Sequence, residues 1–176
     1  QARALDSIIK EFFGNKKKLL DISCGIGTQS IVLAELGYEV SASDLSDQEI
    51  KLAEQEARKR RLKVHFQITD MRQASKAYRE KFDIILSADN AIPHLLTDKE
   101  ILKTFKEFHT LLNPAGGCII TIRDYQNINP EKQKYILNPR HVHNTPEGKM
   151  IMFDRWEFDG DFYDLSTYLI KDTGKG

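Results

Sequence analysis

The stretch LLDISCGIGTQSIVLAELGYEVSASD, from Leu19 to Asp44, opens with a short apolar run, Leu19-Leu20-Asp21-Ile22, of the length of a buried strand. The run breaks at Cys24-Gly25-Ile26-Gly27. Thr28 to Leu36 then follows a helical pattern and stops at Gly37, the residue type that most readily leaves a helix. Tyr38 to Ser43 is strand-like again and ends on an acid, Asp44. Strand, glycine turn, helix, strand is the opening of a parallel βαβ unit. Glycines at such a turn permit positive φ and let a ligand approach the backbone. The start of the helix behind them offers unpaired N–H groups.

The same alternation extends outward. Ala2 to Phe13 carries a helical stripe of Leu5, Ile8, Ile9, Phe12 and Phe13. Ser46 to Arg61 reads as a helix, with Ser46 and Glu49 as a capping box. Its end, Arg58-Lys59-Arg60-Arg61, puts cations where the helix dipole is negative and reads as a solvated terminus. Val64 to Ile68 and Phe82 to Leu86 are further strands. Asp98 to Leu112 is a helix after Thr97, with Glu100 completing a second capping box. Asn113 to Gly117 reads as a turn, and Cys118 to Ile122 as a fifth strand. The expected fold is α/β: a doubly wound, Rossmann-like, mostly parallel sheet with helices on both faces.

After Arg123 the pattern changes. Asn127 to Pro146 is polar and holds Pro130, Pro139 and Pro146, so it reads as a long excursion. Met150 to Phe158 and Asp161 to Ile170 flank Asp159-Gly160, a strong hairpin signal. Residues 1–125 are therefore expected to form the core. Residues 126–176 are expected to add a long loop and an antiparallel β-hairpin appendage to the same domain. Trp156, Tyr163 and Tyr168 would suit a lid, or a plain covering for a sheet edge.

Composition narrows the function classes. Lys+Arg and Asp+Glu both total 26, so the chain lacks the broad positive field that attracts phosphate backbones. No apolar run approaches the roughly 20 residues that span a bilayer. We therefore expect neither a nucleic-acid nor a membrane partner. Cys24 and Cys118 lie far apart, each beside a glycine at the edge of an apolar run, and read as small buried thiols in a reducing cytoplasm. His141 and His143 would share a strand face, but no third ligand converges on them, so no metal is expected. No sequence feature sets the oligomeric state.

Which ligand the glycine loop takes depends on charge. The dinucleotide fingerprint is G-x-G-x-x-G/A, and its third position here is Ser30. Four residues before Gly25 stands Asp21. A carboxylate there would repel a pyrophosphate, yet it would suit a sulfonium cofactor, whose amino group it can take. Asp44 falls where a carboxylate receives ribose hydroxyls. The sign argument favours S-adenosylmethionine over NAD.

At these residues the chain resembles the class I S-adenosylmethionine-dependent methyltransferases. Asp21-Ile-Ser-Cys-Gly25-Ile-Gly27-Thr is similar to their first motif. The likeness continues through Asp44, Thr69-Asp70-Met71, Phe82 to Leu86 and Leu112 to Gly117, and covers roughly residues 1–124. It implies S-adenosylmethionine as cofactor and S-adenosylhomocysteine as product. Asp21 and Gly25 would flank the methionine part. Asp44 would flank the ribose, Asp70 and Met71 the adenine, and Ser23, Gly27, Leu45 and Ala88 would be further cofactor contacts.

A narrower likeness follows. Asn90-Ala-Ile-Pro-His94-Leu, with Arg123-Asp124-Tyr125 after the fifth strand, is similar to the glycine and sarcosine N-methyltransferases. Asp124 stands where that group has Asn. The resemblance implies a small-molecule acceptor, an amine or amino acid whose carboxylate Arg123 would grip. Asn90, His94 and Tyr125 would be further contacts, with His94 the candidate catalytic proton acceptor. The family's sheet continues past the fifth strand with a closing hairpin. This chain instead turns to its appendage and stops at Gly176, so those C-terminal strands are expected to be missing. Two other readings stay open: an NAD-dependent oxidoreductase, disfavoured by Asp21 and Ser30, and a non-enzymatic cofactor-binding or regulatory module.

Overall fold

The structure is a computed structural model that describes residues 1–128, 135–145, 148–160, 162–172 and 174, with backbone alone for 135–145. It divides into two units, Gln1–Arg123 and Asp124–Gly176.

The first unit is built on a parallel sheet. Its strands are β1 (Lys18–Ile22), β2 (Glu39–Asp44), β3 (Val64–Ile68), β4 (Phe82–Ser87) and β5 (Leu112–Ile120), in the order β3-β2-β1-β4-β5. The helices between them are α1 (Ala2–Phe13), α2 (Thr28–Glu35), α3 (Asp47–Lys59), the short α4 (Ala74–Ala77) and α5 (Asp98–Leu111). Leu19 and Leu20 on β1, and Ile84 and Ile85 on β4, are all fully buried. Strands covered on both faces read as continuous apolar runs, which is why the sequence shows no alternation here. Leu19, Val40, Ile84 and Leu86 meet Leu5, Ile9, Leu33 and Ile50 of α1, α2 and α3 on one face. Leu20, Ile22, Phe82 and Ile85 meet Ala74, Phe108 and Leu111 of α4 and α5 on the other. The doubly wound α/β expectation is met.

Both capping boxes form their side-chain caps: Ser46 Oγ accepts from Glu49 N, and Thr97 Oγ1 from Glu100 N, each at 3.3 Å. The basic run at the end of α3 is solvated. Arg58 pairs with Glu54, and Arg60 with Glu56 and Glu35, all across exposed side chains.

The fifth strand differs from expectation. It begins at Leu112 and contains the expected turn as an irregularity: Phe82 pairs with Leu112, but Ile84 with Gly117. Ala115, inside it, has φ 58°. The strand ends at Ile120, earlier than expected. Because β5 is an edge strand, Cys118 is exposed, which corrects the expectation of two buried thiols; Cys24 is buried.

The second unit is a three-stranded antiparallel sheet, β6 (Tyr135–Thr145), β7 (Gly148–Asp159) and β8 (Phe162–Asp172), in that order. The expected β7–β8 hairpin is present, with Asp159 paired to Phe162 and Gly160 at φ 57°. The polar excursion is corrected: its residues 135–145 form a strand on the other edge of β7. The register of that strand slips between Leu137 and Val142, around Pro139. Proline has no N–H for a ladder and is tolerated on edges and at bulges, so Pro139 is compatible with this edge strand. Within this unit Phe153 stacks on Tyr168 at 4.9 Å, and Trp156 is buried with its ring 4.6 Å from Tyr163.

Among the described residues no helix is long and apolar enough to cross a membrane, and no cluster of His, Cys, Asp and Glu could hold a metal. The side chains of His141 and His143 lie outside the described residues.

Candidate functional site

In this strand order the chain direction of travel reverses between β1 and β4, and ligands of such sheets bind beyond the carboxyl ends at that point. The loop from Ser23 to Gly27 sits there. Ser23, Gly25 and Gly27 have φ of 68°, 55° and 81°. For Ser23 the left-handed conformation costs about 1 kcal/mol or more, the kind of strain that persists at functional sites. Cys24 N donates to Ser43 O, and Gly27 N to Cys24 O, each at 2.9 Å.

The two glycines have different duties. A Cβ on Gly27 would lie 3.1 Å from Ala53 Cβ and 3.2 Å from Ile31 Cδ1, whereas one on Gly25 would meet only Glu49 Oε2 at 3.6 Å. Gly27 thus lets α2 pack on α3, and Gly25 only makes the turn. Gly27→Ala is expected to cost about 2–4 kcal/mol in urea unfolding, from backbone strain plus overpacking. Gly25→Ala should cost about 1–2 kcal/mol, from the backbone alone. Equal midpoints for the two variants would refute the packing argument.

Asp21, at the end of β1, is 1% exposed. Ser30 Oγ donates to its Oδ2, while its Oδ1 is buried with no partner. Burial pushes its carboxyl up to about 7, the Ser30 hydrogen bond works against that, and the charges of Asp89 and Asp44 add to the rise. Burial also raises the Cys24 thiol, with Asp21, Asp44 and Glu49 contributing.

Asp44, at the end of β2, organises the loop through both oxygens. Gly25 N donates to Oδ2 at 2.9 Å, and Ser46 N to Oδ1 at 3.0 Å. A small open crevice lies beside it, lined by Ser23, Asp44, Leu45, Thr69 and Met71. Thr69 was not singled out from the sequence as a site residue. Its N–H donates to Asp44 O at 2.9 Å, and its Oγ1 is buried without a partner. Its place right after β3 was the available signal.

Asp70 is turned to another task. Its carboxylate accepts from Arg72 N at 2.8 Å and pairs with the Arg72 guanidinium at 2.7 Å, which holds it below the ordinary carboxylate range. Arg72 also bonds Glu100. Asp70 is absent from the crevice lining, whereas Met71 is part of it.

At the tip of β4, Ala88 is buried, and Asp89 and Asn90 are both left-handed, with φ 55° and 69°. Asn90 Oδ1 accepts from Arg123 N at 2.9 Å, which joins two expected acceptor contacts through the backbone of the second. His94 is exposed at the end of a 3₁₀ turn, Ile92–His94, and the Arg123 side chain is exposed as well. Tyr125 belongs to the second unit, where its hydroxyl lies 2.9 Å from that of Tyr163.

A sequence profile described as "Methyltransferase domain" matches residues 19–116, more than half of the chain. The chain belongs to this methyltransferase-domain family. It is 32% identical over 111 residues to a glycine/sarcosine N-methyltransferase of Halorhodospira halochloris, covering 63% of this chain and 41% of that protein. It is 32% identical over 138 residues to one from Aphanothece halophytica, covering 74% of this chain and 51% of that protein. The chain therefore spans about half the length of the curated relatives it matches. The crystal structure of an S-adenosylmethionine-dependent methyltransferase from Clostridium acetobutylicum shares the fold, with a TM-score of 0.73 at 19% identity over 96% of this chain and 71% of that one.

The donor set of this methyltransferase domain has a definite sign. Asp21, Asp44 and Asp89 form no ion pair among the described residues, and Asp21 Oδ1 is a buried acceptor without a donor. Such a site fits a ligand that carries positive charge and N–H or O–H donors. It does not fit a pyrophosphate.

Proposed function

We propose that this chain is the cofactor-binding part of an S-adenosylmethionine-dependent methyltransferase acting on a small molecule, an amine or amino acid with a carboxylate. The observation that carries the reading is the acid-lined glycine loop, with the orphan oxygen of Asp21 at its base and Asp44 at its rim. S-adenosylmethionine, when bound, supplies the electrophilic methyl group; the protein positions and shields it.

The residues divide the work. Asp21 and the turn Ser23, Gly25, Gly27 would hold the amino-acid end. Asp44 keeps unused lone pairs for ribose hydroxyls after its two backbone bonds. Leu45, Thr69 and Met71 would flank the ribose and base, with Ala88 closing the site. We assign Asp70 a supporting role, because Arg72 already occupies its carboxylate. Asn90, His94 and Arg123 remain the proposed acceptor contacts of the first unit. An amine must be neutral when it attacks, and His94 is the proposed group to accept its proton, directly or through water. The two free thiols suit a reducing cytoplasm.

The test is calorimetric titration with S-adenosylmethionine, S-adenosylhomocysteine and NAD. Micromolar binding of the adenosyl ligands, about −8 kcal/mol, is expected. Binding of NAD alone would replace this reading with the oxidoreductase. Binding of the adenosyl ligands, with no turnover by the full-length protein of any amine or acid, would favour a non-enzymatic module.

Arg123 gives a second test in the full-length protein. Arg123→Ala should raise KM for carboxylate-bearing acceptors about 10–100-fold, as loss of a charge-assisted pair implies. Cofactor affinity should be unchanged. An unaltered KM would remove Arg123 from the acceptor site.

A further inference from the structure

We propose that Asp89 sets the charge preference of the cofactor site, favouring the cationic methyl donor over its demethylated product. The inference rests on the methyl-donor reading above and adds a specificity-determining residue to it.

The position of Asp89 is over-determined. Two successive non-glycine residues, Asp89 and Asn90, are left-handed at the tip of β4, a conformation that Asp and Asn tolerate better than other non-glycine residues. Thr121, beyond the end of β5, holds them there. Asp89 N donates to Thr121 Oγ1 at 3.0 Å, and Asn90 N to Thr121 O at 3.2 Å. These two bonds fix the backbone that carries the carboxylate of Asp89.

That carboxylate has only neutral partners among the described residues. It accepts from Gln29 Nε2 at 3.3 Å and from Gln1 Nε2. Other carboxylates of the same unit are neutralised, Asp70 by Arg72 and Asp6 by Lys10. Gln29, in the first turn of α2 and two residues beyond Gly27, donates to Asp89, so that carboxylate stands beside the glycine loop, and its charge adds to the rise at Asp21. Gln29 links the two ends of this arrangement. It is 4% exposed, it spends its amide N–H on Asp89, and its Oε1 is buried without a partner. Two buried acceptors without donors, Asp21 Oδ1 and Gln29 Oε1, thus accompany the three unpaired carboxylates of Asp21, Asp44 and Asp89.

The reaction changes the ligand's charge by one. S-adenosylmethionine carries a sulfonium, an ammonium and a carboxylate, a net charge of +1. S-adenosylhomocysteine has lost the sulfonium charge and is net neutral. A site whose fixed charges are negative holds the first more tightly relative to the second, and so eases product release. Asp21 and Asp44 contribute to that field but also build the loop, through Ser30 and through Gly25 and Ser46. Asp89 bonds only glutamine amides through its side chain, so its charge can be removed with less structural damage. Asparagine is also the residue that best tolerates left-handed backbone after glycine.

The experiment is calorimetry of wild type and Asp89→Asn with S-adenosylmethionine and S-adenosylhomocysteine at 50 mM and 500 mM salt. A unit charge acting across several ångströms of partly solvated protein changes affinity about three- to tenfold. Asp89→Asn should therefore weaken the methyl donor about three- to tenfold at low salt and the product less than twofold. Added salt should shrink the difference. Gln29→Met, which keeps the charge, should leave the ratio of the two affinities as in wild type. Equal weakening of both ligands by Asp89→Asn would mean a structural role and overturn the proposal, as would no change in either. If melting shows Asp89→Asn to be unfolded, Asp89→Gly, suited to the same φ, takes its place under the same criteria. Wild type that binds neither ligand would refute the methyl-donor reading itself, and the proposal with it. Wild type that binds both, with a ratio indifferent to Asp89, would refute the proposal alone.

Discussion

Asp21→Asn is expected to raise the melting temperature of the Gln1–Arg123 unit by about 10 °C at pH 8, and to leave it nearly unchanged at pH 4. The cause is the carboxyl at the base of the glycine loop, raised to about 7 from an ordinary 3.8, chiefly by burial. The unfolded chain releases this proton near pH 4, and the folded chain keeps it until about pH 7. Between those values the folded state binds more protons, so stability falls as pH rises. The loss is complete above pH 7 and amounts to about 4 kcal/mol at 1.36 kcal/mol per tenfold. Asparagine does not titrate, and its carbonyl still accepts from Ser30, so the variant escapes the loss. Each kcal/mol is worth about 2–4 °C in a domain of this size. Thermal melts followed by circular dichroism from pH 4 to 8 check the prediction. A gain of equal size at both ends of the range would show that ionisation is not its source. The same variant should lose affinity for S-adenosylmethionine, because the destabilising charge is the one proposed to receive the ligand. Stability sacrificed at a site for function is a common trade.

What the sequence made legible follows from the range of the interactions involved. β1, the glycine turn, α2 and β2 are local patterns, and each stands within a residue or two of its expected place. Asp21 and Asp44 could be found because strand ends in a doubly wound sheet point to one crevice. The caps at Ser46 and Thr97 act over three residues and were readable for the same reason. Ser30 was legible only as a departure from the dinucleotide fingerprint. Its positive role, a bond to Asp21 between α2 and β1, needs three dimensions. Gln29 and Asp89 are sixty residues apart in sequence and carry no motif. The engagement of Asp70 by Arg72 spans two residues and carries no motif that the sequence shows. The strand at 135–145 was hidden by its polar residues and Pro139, because proline reports on hydrogen bonding and an edge strand needs fewer bonds. Exposure of Cys118 depends on which strand forms the edge, and that is a property of topology rather than composition.

Asp44→Ala is expected to lower affinity for both adenosyl ligands at least about 10-fold, the loss of one or two charged hydrogen bonds at 1.5–3 kcal/mol each. Part of that loss is structural. The carboxylate accepts from Gly25 N with one oxygen and from Ser46 N with the other, so it ties the glycine loop to the start of α3. Alanine leaves both N–H groups without their acceptor and frees the loop before any ligand arrives. Asp44→Asn separates the contributions. Its single carbonyl oxygen can serve Gly25 or Ser46 but not both, and its NH₂ then faces the other donor. Asparagine should therefore fall between wild type and alanine in affinity, although it matches aspartate in shape. A neutral isostere that bound like wild type would show that the charge of Asp44 is irrelevant to the ligand. Hydrogen exchange supplies the independent reading. The Gly25 amide should be protected in wild type and exchange faster in Asp44→Ala without ligand. Fast exchange in the variant with unchanged affinity would separate loop order from binding and would remove Asp44 from the ribose site. Fast exchange with lost affinity is the expected pair, because the carboxylate that shapes the turn is the one left facing the crevice.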